Sequence, residues 1–128
     1  MKIEHVALNV KDPVGMAKWY VENLGMKVIR AVDKSPYTRF MADERGQSVI
    51  EIYNNPAANV PDYASIKPLV LHIAFLVEDI EGTRNRLLAV GATAEGEIST
   101  TEAGDQLAFL RDPWNVSIQL VKRRKPLT

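Results

Sequence analysis

At 128 residues the chain is the size of one compact domain, or of two halves too small to stand alone. Sixteen basic side chains balance sixteen acidic ones, so no net field draws the chain to nucleic acid or an anionic membrane, and the C-terminal run Lys122-Arg123-Arg124-Lys125 reads as a solvated tail. The absence of cysteine excludes disulfides and thiolate metal sites, while 46% hydrophobic residues suffice for a core without any apolar run of membrane-spanning length.

Residues 3–10 alternate as a strand, with His5, Ala7 and Asn9 on one face and Val6, Leu8 and Val10 on the other. Because the first residues run straight into this strand, no signal peptide is expected, and a soluble cytoplasmic protein is. Asp12 is a good helix N-cap, and Pro13 fits the first helical position, where its missing N–H costs nothing. The helix is predicted to reach Leu24, with Ala17, Tyr20, Val21 and Leu24 as its apolar stripe and Gly25 as its left-handed cap. Strands are predicted at 26–32, 37–42 and 47–53, the last two joined by the turn Asp43-Glu44-Arg45-Gly46. Residues 54–68 carry Pro56, Pro61 and Pro68 without periodicity and read as a linker.

The same order then returns. A strand at 69–77 leads to Asp79 as N-cap, a helix to about Val90, Gly91, strands at 93–99 and 105–111, the turn Asp112-Pro113-Trp114-Asn115, and a last strand at 116–122. His5-Val6-Ala7-Leu8-Asn9-Val10-Lys11-Asp12 and His72-Ile73-Ala74-Phe75-Leu76-Val77-Glu78-Asp79 are 67 residues apart, and Glu51 and Gln119 are 68 apart. The organisation is therefore a first βαβββ unit over 1–53, a linker over 54–68, a second unit over 69–123 and a tail over 124–128. The expected class is α+β, a cupped mixed β-sheet barrel with its helices outside.

Alternation assigns the chemistry. Ile50 and Ile52, and likewise Val116, Ile118 and Leu120, must pack under a helix, so Glu51 and Gln119 face the other way. The same argument sends His5 and His72 to the helix-free side. Any one of these residues alone would be an ordinary strand residue. Together they are the only two histidines at repeat-equivalent positions, joined by a second equivalent pair of oxygen donors, and that set suits one divalent first-row metal.

The pattern resembles the vicinal oxygen chelate superfamily, which includes glyoxalase I, methylmalonyl-CoA epimerase, extradiol dioxygenases and the fosfomycin and bleomycin resistance proteins. The resemblance runs from His5 to Lys122. It rests on His5-Val6-Ala7-Leu8-Asn9-Val10, Trp19-Tyr20 with Leu24-Gly25-Met26, Leu71-His72-Ile73-Ala74-Phe75, and Asp112-Pro113-Trp114-Asn115 with Gln119-Leu120. It implies metal ligation by His5, Glu51, His72 and Gln119, with Zn, Ni, Co, Mn or Fe as the ion. Glyoxalase I-like enzymes usually carry Glu where this chain has Gln119, and an amide is no base near neutral pH. Exchanging the two halves turns the order into the epimerase arrangement, which leaves Glu51 as the catalytic base. The resemblance thus implies a glyoxalase I-like lyase or isomerase moving a proton α to a carbonyl of a small oxygenated compound. The alternatives are a non-haem iron extradiol dioxygenase using His5, His72 and Glu51, and a metal-free binding protein of the bleomycin-resistance type. Asn9, Arg39 and Tyr53 are candidate substrate contacts. A homodimer is expected, with a small-molecule substrate and neither nucleic acid nor membrane as partner.

Overall fold

A computed structural model describes residues 1–128 and divides them into two compact units, Met1–Pro61 and Asp62–Thr128. The first contains β1 (Val6–Asn9), α1 (Pro13–Leu24), β2 (Lys27–Ala31), β3 (Arg39–Ala42) and β4 (Val49–Tyr53). Its sheet has the order β1-β4-β3-β2, with β1 parallel to β4 and the other pairs antiparallel. The second contains β5 (Ile73–Leu76), α2 (Ile80–Ala89), β6 (Thr93–Thr100), β7 (Gln106–Arg111) and β8 (Ser117–Lys122), in the order β5-β8-β7-β6 with the same directions. Two mixed sheets, each with its own helix, make an α+β fold. Strand pairing gives two separate four-stranded sheets and not one closed barrel. Irregularities between Val28 and Arg30 in β2, and between Glu95 and Ser99 in β6, break the ladders next to the outer edges, as bulges at sheet margins do.

Both helices begin in the same way. The Asp12 carboxylate accepts from the Gly15 N–H at 3.0 Å, and Asp79 accepts from Gly82 at 3.0 Å. A Cβ at Gly15 would lie 2.2 Å from Asp12 Oδ2, and one at Gly82 would lie 2.1 Å from Asp79 Oδ2, so each glycine leaves room for the cap. Helix α1 ends at Gly25, whose φ of 69° is the left-handed cap the sequence predicts. Its buried residues are Pro13, Met16, Ala17, Trp19 and Tyr20, while Val21 is 40% exposed. The stripe is therefore rotated from the predicted one, because positions 13, 16, 17 and 20 follow the i, i+3, i+4, i+7 spacing and Val21 falls on the flank. Helix α2 stops at Ala89 with Val90 as cap, and Gly91 takes the positive φ of 109° one residue later.

Other boundaries differ for local reasons. The strand predicted from residue 69 starts at Ile73 because Val70 N–H bonds to the Lys67 carbonyl at 2.8 Å, turning the chain after Pro68. The predicted linker holds a 3-10 turn at Tyr63–Ser65 with Tyr63 buried. The core of the first unit is Leu8, Val10, Met16, Tyr20, Met41 and Ile52, and that of the second includes Ile80, Leu87, Leu110, Ile118 and Leu120. No helix is long and apolar enough to cross a membrane.

The two hairpin turns are also built alike. Asp43 Oδ1 accepts from the N–H groups of Gln47 and Ser48, and buried Asp112 Oδ1 accepts from those of Trp114 and Val116. The Gln47 N–H bond, foremost, holds the Asp43 carboxyl below its ordinary 3.8, and the Arg124 N–H and Arg123 side chain do the same for Asp105. Both groups bind fewer protons folded than unfolded, so the stability they lend is present above the unfolded value and lost as pH falls through the lower folded ones. Acid titration of the unfolding midpoint should show a decline setting in near pH 3.8, smaller in an Asp43→Asn, Asp105→Asn double variant.

Candidate functional site

Strand register places the predicted ligands on one face of each sheet. In the first unit Ala7 pairs with Glu51, and Glu51 with Phe40, which pairs with Arg30. In the second, Ala74 pairs with Gln119, and Gln119 with Phe109, which pairs with Glu95. Cross-strand partners share a face, and His5 and His72 stand two residues before Ala7 and Ala74. Each unit thus carries one imidazole, one oxygen-bearing side chain and one phenyl ring on the side away from its helix. We refer to these as half-sites.

The first half-site brings His5 and Glu51 together. His5 Nδ1 is 2.9 Å from the exposed Glu4 carboxylate and Nε2 is 3.6 Å from Glu51 Oε1. A carboxylate can only accept, so the bond to Glu4 puts a proton on Nδ1 and turns Nε2 toward a second carboxylate. A cation shared between Nε2 and Glu51, whether a proton or a metal ion, satisfies both groups. Adjacent ligands about 2.1 Å from a common ion lie roughly 3.0–3.4 Å apart, close to the observed spacing. The Glu51 side chain is 16% exposed, shielded from bulk water but reachable.

In the second half-site His72 Nδ1 lies 2.7 Å from the Pro68 carbonyl oxygen. A carbonyl also only accepts, so Nδ1 carries the proton and Nε2 is the nitrogen left free for a ligand. Gln119 is 8% exposed, and its side-chain amide is tied down by no hydrogen bond within the protein. Two residues earlier on the same face, Ser117 Oγ is buried and unpartnered. A divalent first-row ion takes imidazole nitrogen and carboxylate or amide oxygen, the donor types that each unit carries on this face. Neither unit by itself gathers three His, Asp or Glu side chains at ligand distances.

The remaining sequence candidates fall differently. Tyr53 shares the face of Glu51 and pairs with Asn9. The Asn9 amide donates to the carbonyls of Asn55, Ala58 and Asn59 and accepts from Asn55 N–H, which holds the loop after β4. Arg39 pairs with Ile52 and so lies on the opposite face from Glu51. Its guanidinium is turned into the preceding loop, donating to the carbonyls of Val32 and Thr38 and to Asp33.

Sequence reasoning missed four residues on these faces. The Phe40 and His5 rings are 5.5 Å apart at 87°, and the Phe109 and His72 rings are 5.2 Å apart at 79°. Arg30 stands over the Phe40 ring at 5.9 Å. Arg111 bonds to Glu95 and to the carbonyls of Tyr63, Ile66 and Asn115, fastening the segment that leads to His72. Continuing the repeat offset to 69 would have flagged the phenylalanine pair, although an aromatic residue in a strand reads first as core.

Comparison with known proteins agrees with this architecture. Residues 2–120 match the family model described as the Glyoxalase/Bleomycin resistance protein/Dioxygenase superfamily. The chain is 29% identical over 128 residues to a lactoylglutathione lyase of Haemophilus influenzae, covering 97% of this chain and 94% of that one. It is 28% identical over 130 residues to a protein of Vibrio parahaemolyticus named as a probable lactoylglutathione lyase, covering 97% and 92%. A glyoxalase family protein from Enterococcus faecalis superposes with a TM-score of 0.69 at 27% identity, over 94% of this chain and 96% of that one.

Proposed function

Because this chain belongs to the glyoxalase/bleomycin resistance protein/dioxygenase superfamily, we propose that it is a glyoxalase I-like lyase or isomerase. It would move a proton on the carbon beside a carbonyl of a small oxygenated compound, and use one divalent ion to do so. The observation that carries this reading is the approach of His5 Nε2 to Glu51 Oε1 at 3.6 Å, with an equivalent imidazole and amide on the second unit. The ligands would be His5, Glu51, His72 and Gln119, the two half-sites coming from one chain or from two chains of a homodimer. Zn, Ni, Co, Mn and Fe all suit these donors. Such an ion, when bound, polarises a carbonyl oxygen and so acidifies the neighbouring C–H.

Glu51 is the base in this proposal. It takes the proton from the substrate carbon and returns it to the neighbouring carbon in a glyoxalase-type isomerisation; in an epimerisation the same carbon is reprotonated from its opposite face. Gln119 holds position without exchanging protons. Tyr53, two residues along β4 from Glu51, offers a phenol to a substrate oxygen. Asn9 and Arg39 enter through the loops they brace, which shape access to the substrate. The names of the relatives make lactoylglutathione the first compound to test, followed by small 2-hydroxy and 2-oxo acids. A cytoplasmic location belongs to the same proposal.

Elemental analysis of untagged protein prepared without chelator tests it. About one equivalent of ion per chain, lost in His5→Ala, is the expected result. Iron together with oxygen consumption on a catechol would move the assignment to an extradiol dioxygenase. A protein that refuses every divalent ion would leave a binding module.

A further inference from the structure

We infer that Phe40 and Phe109 are positioning residues, each fixing the direction in which the imidazole of its own unit presents Nε2. The inference rests on the reading of His5 and His72 as ligands, and it explains how those two rings are aimed. Each histidine stands immediately before the first residue of an edge strand, at His5 before Val6 and His72 before Ile73. No ladder partner flanks it on the outer side, so its own torsions leave the ring free to swing. The phenyl stands in the row of Glu51 or Gln119, on the strand beyond, and meets the imidazole nearly at right angles. That perpendicular geometry at centroid separations of 5.5 and 5.2 Å is a preferred aromatic arrangement. The same contact occurs independently in both units, although their sequences differ at most other positions.

Each imidazole therefore has two restraints, a phenyl on one side and an Nδ1 bond on the other. The Nδ1 restraints are unequal. His72 is held by a backbone carbonyl, whereas His5 is held by Glu4, whose side chain is 84% exposed and readily takes water instead. Removing the phenyl should therefore disturb His5 more than His72. Outer residues that orient histidine ligands typically change metal affinity by about 10- to 100-fold.

The chain has only two histidines, so imidazole nitrogen and proton resonances of the metal-free protein can be assigned by His5→Ala and His72→Ala. In the parent protein His72 should be the Nδ1–H tautomer, with both rings showing contacts to phenyl protons. Phe40→Leu and Phe109→Leu should each move the resonances of their own imidazole. Cobalt(II) affinity should fall about tenfold in Phe40→Leu and less in Phe109→Leu. Phe75→Leu, which removes a phenyl from the helix-facing side of β5, should lower the melting temperature and leave cobalt affinity unchanged. Unchanged imidazole resonances and cobalt affinity in both site variants would overturn the inference. So would an Nε2–H tautomer or the absence of phenyl contacts in the parent protein, a result independent of how the variants fold. If the parent binds no cobalt, the metal reading fails while the resonances still decide the positioning.

Discussion

The Glu51→Gln variant is expected to fold like the parent and to lose proton exchange at the substrate carbon by about three orders of magnitude, the scale of a removed general base. The substitution keeps the shape and one oxygen while removing the basicity. Strand β4 is central in its sheet, between β1 and β3, so the side chain at position 51 is held on both flanks and cannot relax into another role. No other carboxylate on these faces is free to take over. Glu95, in the row of Gln119, is engaged by Arg111. Deuterium incorporation from solvent, followed by proton NMR, reads the effect directly, and exchange at the parental rate would remove Glu51 as the base. Thermal unfolding of the variant should match the parent, which separates chemistry from folding.

The largest stability effect outside the apolar core is expected at Arg111. Its guanidinium is 10% exposed and satisfies Glu95 together with three carbonyl oxygens, two of them in the 3-10 turn and its end at Tyr63 and Ile66. In Arg111→Met the methylenes remain, but those carbonyls and the Glu95 carboxylate lose their donor. Breaking a buried charge network costs about 3–5 kcal/mol. The lower end, about 3 kcal/mol, is expected here because Glu95 is more than a third exposed and water replaces part of its loss. Denaturant unfolding measures the change. Hydrogen exchange should place it first at residues 62–71, the approach to His72, and a change under 1 kcal/mol would mean that the guanidinium is not holding that segment.

Much of this was readable in the chain because its repeat is written in residues with narrow physical roles. Asp12 and Asp79 announce helix starts, Gly25 announces a helix end, and the alternation in β4 and β8 separates Glu51 and Gln119 from the apolar core. Alternation was also enough to put His5 and His72 on the helix-free faces. Arg39 was a candidate without such an assignment, and the register sets it opposite Ile52 while its guanidinium finds carbonyls in its own loop. Loop carbonyls have no sequence signature, and neither do those that Arg111 gathers. The rotated stripe of α1 has a similar origin, since several apolar residues compete for the buried face and packing of Met16 and Tyr20 decides the outcome. The expected barrel is found as two four-stranded sheets, because the strand pattern alone carries no mark of which edges pair.

Strand β4 is the last of its unit to be made, yet it lies between the first and the third. Val6 must wait for Ile50, and in the second unit Ile73 must wait for Ile118, before either parallel ladder can form. On a ribosome the hairpin of β2 and β3 is available early, while the opening strand stays without a partner until nearly the whole unit has emerged. The residue that arrives with the closing strand is Glu51, and in the second unit it is Gln119. Each sheet face therefore acquires its Glu51 or Gln119 only in the step that completes the sheet, and a nascent chain stalled short of that strand presents its histidine without that side chain.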